Sequence, residues 1–585
     1  MCPTIVNIFP SVPGPNFLSR FSNQMSTSRS LEAARVALVF LSILIVATYF
    51  ARLDPDWHHD GILFKPAVDV AAGLSLFKET FTQYGALTTY LQAGAIAIFG
   101  KYLIVLRLQA AFFVAFSGVL LYLIMRKIVP PVIAVLAVTL WALMTPYTVL
   151  AFYPWSSIFA LFFVLLGTWL LVRLDPTKSH HFTGLLWHFV AGLAFSAAFW
   201  SRQPYGIVFP ILALYLPLAA LCKDSKWRTT WQSFAFLCSG FFILTLTGLV
   251  WLWVDEALAD WWLQSIVGAQ TFAENQGEGR IAFEQIFHFL FPRPGLIWAS
   301  NGSWVWWILP ILNLCIVLFL FLRIVLKQEL SLACRNLLIL SLVGIGTWHQ
   351  YYPVSSIAHA FYGATPMIGT LTGSVYLLLR NFSIRPFACY AIILFLAILL
   401  FGRDIDYRIR AGLDKYPVAQ VEFPTLQGMQ FSNKFVRNII RYSGTDEEYF
   451  ANLRTLDKVL TNIQTISPEI SLLTITEDAY LGAVFASNNP HKATVWWRLI
   501  HRMYPDHRKS VRDYIKENRP LIEIKIKRWG WDERSWVDPQ SPQRVDLGFA
   551  DYEVLISTDY SDSGASQILA SPKFIALYRK RFSAQ

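Results

Sequence analysis

The chain has 585 residues, of which 55% are hydrophobic and 15% charged, and its formal net charge is +11. With a mean hydropathy of +0.44, this composition excludes a single large soluble domain and indicates a protein with many membrane-spanning helices. The net charge is positive, but the sequence contains no motif of a nucleic-acid-binding domain. The six cysteines form no CxxC pair and no disulfide framework.

The N-terminal region is rich in Ser, Pro and Asn, and we expect residues 1–32 to be cytoplasmic and disordered. Arg20, Arg29 and Arg35 lie before or at the start of the first apolar run, 33–51, which lacks a clear cleavage site. The pattern is typical of a signal anchor rather than a cleaved signal peptide.

Apolar runs long enough to cross a membrane recur through the first two thirds of the chain. We predict a transmembrane catalytic domain over 33–402 with about eleven spans, at 33–51, 103–125, 131–149, 152–172, 184–200, 205–222, 233–254, 304–325, 332–348, 361–379 and 386–402.

Loop charges indicate the orientation of these spans. With the N-terminus inside, every cytoplasmic loop is basic, as in Arg126–Lys127 and in the pair Arg380 and Arg385. The opposite, outer side then receives 52–102, 255–303, 349–359 and everything after 403.

The first outer loop, 52–102, combines carboxylates with amphipathic patterns. Val70, Leu74 and Phe77 recur at helical spacing, and so do apolar residues over 84–98. Both patterns predict helices that lie in the membrane interface.

Residues 403–585 are more polar and predict an extracytoplasmic α/β domain. Helical patterns occupy 448–466 and 507–517. Strand-like runs lie at 470–476, 521–526, 552–557 and 573–578.

Acidic groups cluster where the first span meets water, at Asp56, Asp60, Asp69 and Glu79. Ionisable groups are costly to keep beside a membrane, so this cluster is the first candidate for an active site. A carboxylate here could act as a general base. The structural alternative is that these groups cap helices or pair with Lys65 and Lys78.

A divalent cation is an alternative use of the same loop, since His58 and His59 lie between Asp56 and Asp60. Adjacent histidines rarely ligate one ion, and no HxxxH spacing is present, so we predict no metal ligands and no required cofactor.

Cations on the outer side are candidates for holding a phosphate, because arginine matches phosphate oxygens in pairs. Arg202 ends an apolar helix there, in the segment WSRQPYG, and Arg280 lies in the 255–303 loop. His349 and His359 flank the turn YYPVSS and could donate to the same group. Snorkelling to the interface is the alternative for Arg202.

The segment DGILFKPA, followed by AGLSLFKETFTQYGALTTYL, resembles the first outer loop of GT-C glycosyltransferases. It is most similar to the bacterial group of protein O-mannosyltransferases, aminoarabinose lipid A transferases and rhizobial galacturonosyltransferases. The segments WSRQPYG and QYYPV, and an outer C-terminal domain, are also similar to that group.

The resemblance implies a polytopic glycosyltransferase that moves a hexosyl or pentosyl group, with inversion, from a polyprenyl-phosphate-linked sugar. The acceptor would be a lipid-linked or envelope glycan, such as lipopolysaccharide, outside a bacterial inner membrane. The family's first-loop aspartate corresponds to Asp60, and Glu79 stands where a second aspartate is usual. These two are our predicted catalytic residues.

We expect substrate to be bound by a wider set of residues in the outer loops, with membrane lipids around the spans. That set is His59, Gln83, Tyr84, Arg202, Arg280, His349 and His359. A lipid or glycan transporter or flippase is the alternative function, and a non-catalytic membrane scaffold is a third. The transporter should show charged or broken helices at mid-membrane.

Overall fold

The structure is a computed structural model of the whole chain. It describes residues 29–174, 182–219, 227–268, 305–351, 357–420, 423–440, 444–475, 480–481, 504, 506–527, 549–561 and 564–582.

The described residues of the first part of the chain are mostly helical. Its helices are α1 (Arg29–Ala51), α2 (Gly61–Ala71), α3 (Ala86–Phe99), α4 (Leu103–Met125), α5 (Pro131–Leu143), α6 (Ser156–Arg173), α7 (Phe182–Ser201), α8 (Val208–Ala219), α9 (Trp227–Val254), α10 (Leu258–Trp262), α11 (Val305–Val325), α12 (Leu332–Trp348), α13 (Ile357–Asn381) and α14 (Pro386–Leu413).

Eight helical segments within these described residues are long and apolar enough to cross a membrane, and they include all or most of α1, α4–α7, α9, α11 and α14. The polytopic helical architecture predicted from the sequence is therefore confirmed. The other three predicted spans fall on α8, α12 and α13, which lie outside that group, so the count of eleven is not confirmed.

Close helix packing in this bundle depends on small residues. A Cβ atom built on Gly192 of α7 would lie 2.1 Å from the carbonyl oxygen of Leu237, and one on Gly240 of α9 would lie 2.0 Å from that of Phe189. The two backbones can approach this closely only because both positions are glycine.

The first outer loop differs in part from its prediction. The predicted helix over 84–98 is confirmed by α3, whereas α2 ends at Ala71 and the expected continuation through Leu74 and Phe77 is wrong. The chain turns there, and Phe77 has a left-handed backbone with φ of 69°. Turn formation thus overrides the helical spacing of the apolar residues.

The C-terminal region contains both helices and strands, as predicted. It consists of β1 (Pro417–Ala419), β2 (Phe431–Ser432), α15 (Asp446–Ile466), β3 (Leu472–Ile475), α16 (His507–Asn518), β4 (Leu521–Lys527), β5 (Glu553–Ser561), β6 (Gly564–Ala570) and α17 (Pro572–Phe582).

Four of these strands form a sheet in the order β3-β4-β6-β5. Strands β3 and β4 are parallel, and the other two pairings are antiparallel. The strand predicted at 573–578 is wrong because that segment lies in α17, where Ile575 is buried and the last turn carries three basic residues.

The C-terminal region shares a hydrophobic core with the first outer loop. Trp57 and Phe64 of that loop pack in one cluster with Phe435, Tyr449 and Leu472. The indole N–H of Trp57 also donates to the Tyr449 hydroxyl at 3.0 Å. Any movement of the C-terminal region would therefore disturb the loop that carries the candidate site.

The charge pattern of the loops predicts that the C-terminus lies outside the cytoplasm. In a Gram-negative host, we expect alkaline phosphatase fused after residue 585 to be active. The same fusion in the basic loop after Arg173 should be inactive. Activity of the second fusion but not of the first would reverse the orientation.

Candidate functional site

A buried arginine fixes the start of the first outer loop. Arg107 of α4 is fully buried and forms an ion pair with Asp60, which is also fully buried. Its guanidinium donates to the carbonyl oxygens of Leu53 at 2.6 Å and Asp54 at 2.9 Å, and its Nε donates to Asp60 at 3.1 Å. Arg107 thus fixes the end of α1 and the chain that follows it.

Asp60 in turn fixes Asp56, because its Oδ2 accepts the backbone N–H of Asp56 at 2.7 Å. Both carboxylate oxygens of Asp60 are engaged in these contacts. Asp60 therefore closes a turn within the loop, and its side chain is fully shielded from solvent.

Asp56 is the acidic group of this turn that remains partly exposed, with 15% of its side chain accessible. Its Oδ1 accepts the backbone N–H of His59 at 2.7 Å and lies 3.2 Å from the ring nitrogen Nδ1. The Tyr153 hydroxyl donates to Oδ2 at 3.2 Å. Burial opposes ionisation, but His59 outweighs it and holds the pKa of the Asp56 carboxyl below its usual range.

An aromatic wall stands beside Asp56, formed by His59, Tyr153, Trp155 and His359. The rings of Tyr153 and Trp155 are stacked with centroids 5.1 Å apart, and His59 lies 4.6 Å from Tyr153. His359 of α13 closes the row at 5.3 Å from Trp155. A wall of ring faces beside a carboxylate offers flat apolar contact next to a polar group.

Arg202 lies directly after α7, in extended backbone, and is half-buried. Its Nε donates to Gln350 Oε1 at 2.6 Å and its Nη1 to the Ser156 hydroxyl at 3.1 Å. The guanidinium carbon lies 5.1 Å from the ring centre of Tyr84. Among the residues that the structure describes, Arg202 has no carboxylate partner.

Gly85 explains how Tyr84 reaches Arg202. A Cβ atom at this position would lie 2.1 Å from the carbonyl oxygen of Trp200, so the start of α3 packs directly on the end of α7. Thr88 strengthens the contact by donating to the carbonyl of Ser201 at 3.2 Å.

The segment 153–156 connects the two polar groups. Tyr153 contacts Asp56 at one end of this segment, and Ser156 contacts Arg202 at the other. These contacts join the partly exposed carboxylate and the guanidinium into one candidate site, formed by Asp56, the segment 153–156 and Arg202, which we call the cleft.

Several predicted site residues lie in this cleft. His59, Tyr84, Arg202 and His359 contact one another or the residues between them, and Gln83 is a half-buried neighbour of Tyr84. His349 follows α12 beside Arg202's partner Gln350, and its ring is hydrogen-bonded to the backbone of Pro204.

The other predicted residues are placed differently. Glu79 is exposed and accepts the backbone N–H of Ser75 at 2.6 Å, so it closes a local turn. Another buried carboxylate of the loop is Asp69, which is paired with Lys65 and accepts from Thr80 at 2.6 Å. Arg280 lies outside the described residues.

Sequence reasoning missed the wall and the buried arginine. Residues 152–155 were assigned to a predicted span, but α6 begins at Ser156, so Tyr153 and Trp155 belong to the outer loop before it. Pro154 in that run was the available signal, because proline disfavours a helix at the residue before it. Arg107 was an ionisable residue inside an apolar run, which indicates a special role.

A metal site is not supported within the described part of the chain, where no three His, Cys, Asp or Glu side chains are grouped to hold an ion. The predicted absence of metal ligands and the alternative of a divalent cation both remain predictions.

Comparison with known proteins gives structural matches alone. No family model and no curated protein matches the sequence. The apo oligosaccharyltransferase of Archaeoglobus fulgidus matches 88% of this chain and 73% of its own, with 14% identity and a TM-score of 0.47. ArnT of Cupriavidus metallidurans bound to undecaprenyl phosphate matches 93% of this chain and 98% of its own, with 11% identity and a TM-score of 0.44.

A third match is the protein O-mannosyltransferase complex of S. cerevisiae bound to its sugar donor. It covers 40% of this chain and 36% of its own, with 15% identity and a TM-score of 0.32. All three matched proteins belong to the GT-C superfamily, the group that the sequence resembles. At these TM-scores the likeness assigns no role to any residue, so the site is argued from its own contacts.

Replacing Arg107 by Met would leave the Asp60 carboxylate fully buried without its partner. Breaking a buried pair in this way costs about 3–5 kcal/mol, so we expect a clear fall in the thermal unfolding midpoint of the detergent-solubilised protein. Lys78→Met, which breaks an exposed pair with Glu256, is the matched control and should leave the midpoint unchanged. An equal midpoint for both variants would contradict the assigned role of Arg107.

Proposed function

We propose that this protein is an integral-membrane glycosyltransferase of the GT-C type. It would transfer a hexosyl or pentosyl group, with inversion, from a polyprenyl-phosphate donor to a lipid-linked or envelope glycan. The observation that supports this most directly is the cleft itself, with Asp56 and Arg202 held at opposite ends of the segment 153–156.

Asp56 is the general base in this proposal. Its carboxylate accepts the proton of the acceptor hydroxyl while that oxygen attacks the anomeric carbon of the donor sugar. The bond from the anomeric carbon to the phosphate oxygen breaks on the opposite face, and the configuration inverts. His59 keeps the carboxylate ionised, because it lowers the pKa of Asp56. A lower pKa also makes the carboxylate a weaker base, so its contribution to the rate depends on its position against the acceptor hydroxyl.

Arg202 holds the leaving phosphate. The polyprenyl phosphate departs with its negative charge and needs a cation rather than an acid. A half-buried guanidinium bound only to neutral groups among the described residues is suited to an anion, since such a charge is poorly compensated until one binds. Tyr84 stacks on its face and limits its orientation.

The choice of Asp56 departs from the sequence-based prediction of Asp60. Asp60 is fully buried and both its oxygens are engaged, so a substrate hydroxyl would have to displace Arg107 or the Asp56 backbone to reach it. Asp56 is partly exposed and its Oδ2 contacts only the Tyr153 hydroxyl among the described residues. Asp60 is the positioning residue for Asp56 in this account.

The aromatic wall would receive the sugar, since ring faces match the apolar C–H faces of a pyranose. We place the cleft on the extracytoplasmic side of a bacterial inner membrane, where the basic inner loops put it. A lipid or glycan transporter remains the alternative function, and the two aspartate variants below separate it from a transferase, because a transporter needs no general base.

The roles of the two aspartates can be separated by matched variants. In a host lacking this gene, we expect Asp56→Asn to reach normal expression and thermal stability but to restore less than about 1% of the glycolipid product, since proton transfer contributes about 10²–10⁴-fold. Asp60→Asn should lower the unfolding midpoint but retain more product per folded protein than Asp56→Asn, because its amide oxygen can still accept the Asp56 backbone N–H. The measurement is mass spectrometry of envelope glycolipids at equal expression.

The opposite pattern would assign the base to Asp60. In that case Asp60→Asn would lose the product at unchanged stability, and Asp56→Asn would restore it. Full restoration by both variants would remove both carboxylates from the chemistry and favour the transporter.

Arg202→Gln should weaken the binding of undecaprenyl phosphate by about tenfold or more, because it removes the charge-assisted hydrogen bonds to phosphate. Arg173→Gln is the matched control, since Arg173 also lies over aromatic rings, at 4.6 Å from those of Trp169 and Trp187. Thermophoresis with the purified protein measures both. Equal affinities for the two variants would exclude Arg202 from the phosphate site.

A further inference from the structure

One ammonium group from the C-terminal region is bound to both chain segments that form the cleft. Lys415 follows α14 and is 3% exposed. Its Nζ lies 2.8 Å from Asp54 Oδ2 and donates to the carbonyl oxygen of Leu150 at 3.1 Å. Asp54 lies two residues before Asp56, and Leu150 three residues before Tyr153.

We propose that Lys415 is a positioning residue that sets the contact between Asp56 and Tyr153 by anchoring both segments at one point. This inference rests on the proposed function, in which Asp56 is the general base. It gives the C-terminal region a part in the reaction that does not require it to touch substrate.

The first anchored segment is held in a strained conformation. Asp54 is fully buried and has a left-handed backbone with φ of 55°, which is uncommon for a residue other than glycine. Its carboxylate accepts from the backbone N–H and the hydroxyl of Ser432, at 2.7 Å and 2.8 Å, in addition to the contact with Lys415. Such a conformation persists because the surroundings fix it.

Backbone pairing with the C-terminal region supports the same arrangement. The N–H of Asp54 donates to the carbonyl of Gln430 at 2.8 Å, and the N–H of Gln430 donates to the carbonyl of Arg52 at 2.7 Å. The residues on both sides of this strained turn are thus bound by a segment more than 370 positions away in the chain.

The second anchored segment, 144–155, contains little regular secondary structure and is bound by residues of α14 and by Lys415. Arg408 donates to the carbonyl of Thr145 at 2.7 Å, and Lys415 binds the carbonyl of Leu150. A Cβ atom on Gly412 would lie 3.0 Å from the side-chain methyl group of Thr148, so this side chain packs closely against α14. Without Lys415, the segment keeps its contacts at Tyr153 and Pro154 but loses the bond that joins Leu150 to Asp54.

The position of a general base matters because misplacement of about 1 Å can cost about 10²-fold in rate. Lys415 does not contact Arg202 or its described partners, so its loss should spare the binding of the donor phosphate. This difference separates positioning from a general loss of structure.

The test compares three variants with wild type. Lys415→Met alone would leave the Asp54 carboxylate buried without its cation, so the central variant is the double substitution Lys415→Met with Asp54→Asn, which removes both charges together. Lys415→Arg keeps a cation that can donate to both Asp54 and the Leu150 carbonyl. Lys434→Met is the control, because Lys434 belongs to the same region and pairs with Asp414 while 36% of its side chain is exposed.

We expect the double variant to fold, to bind undecaprenyl phosphate within about twofold of wild type, and to yield about tenfold less glycolipid product or lower. Lys415→Arg should restore most of the product, and Lys434→Met should match wild type. Wild-type product from the double variant would overturn the proposal, and so would an equal loss of binding and product.

Hydrogen exchange tests whether Lys415 anchors the two segments, and this test does not depend on the proposed function. Amides of 144–155 and 52–57 should exchange faster in the double variant than in wild type or Lys434→Met, without a general increase elsewhere. If wild type forms no product, the transferase proposal fails, and exchange alone decides whether Lys415 anchors the two segments. Unchanged exchange in these segments would overturn the anchoring role.

Discussion

The ion pair between Arg107 and Asp60 is the interaction on which the candidate site depends. Both groups are fully buried, and the guanidinium also binds carbonyl oxygens at the end of the first membrane helix. A charge in this position is tolerated only when paired and hydrogen-bonded. The turn that presents Asp56 exists because Asp60, held by Arg107, accepts the Asp56 backbone N–H.

The cleft is built by contacts between segments that are distant in the sequence. Asp56 comes from the first outer loop, Tyr153 and Trp155 from the second, and Arg202 from the end of α7. The C-terminal region is bound to the first two of these through Lys415 and Ser432. Chemistry in this account requires that the base and the phosphate-binding cation stay at a fixed separation, which rigid attachment at several points provides.

Local patterns predicted much of the fold. Hydropathy located the membrane helices, since an apolar run of sufficient length has few other uses, and the amphipathic spacing over 84–98 found α3. The same spacing failed at Leu74 and Phe77, where the backbone turns. It also failed at 573–578, where an alternation typical of a strand lies in a helix with one buried position, Ile575.

Part of the candidate site could also be predicted from local sequence patterns. Arg202, His59 and His359 were candidates because ionisable groups beside a membrane are costly to keep, and Tyr84 because it lies in the segment that resembles the first loop of GT-C glycosyltransferases. The sequence alone could not distinguish the roles of Asp56 and Asp60. The burial of Asp60 depends on its contact with Arg107, which lies 47 positions later in the chain. The anchoring by Lys415 depends on a contact over a still longer stretch of chain, and no local pattern records it.

A structure of the protein in nanodiscs with undecaprenyl phosphate bound is the most direct test of the central claim. The account predicts the phosphate against the Arg202 guanidinium, with Asp56 facing the same cleft and Asp60 still paired with Arg107. A phosphate bound elsewhere, or an Asp60 carboxylate that has left Arg107 to face the lipid head group, would contradict it.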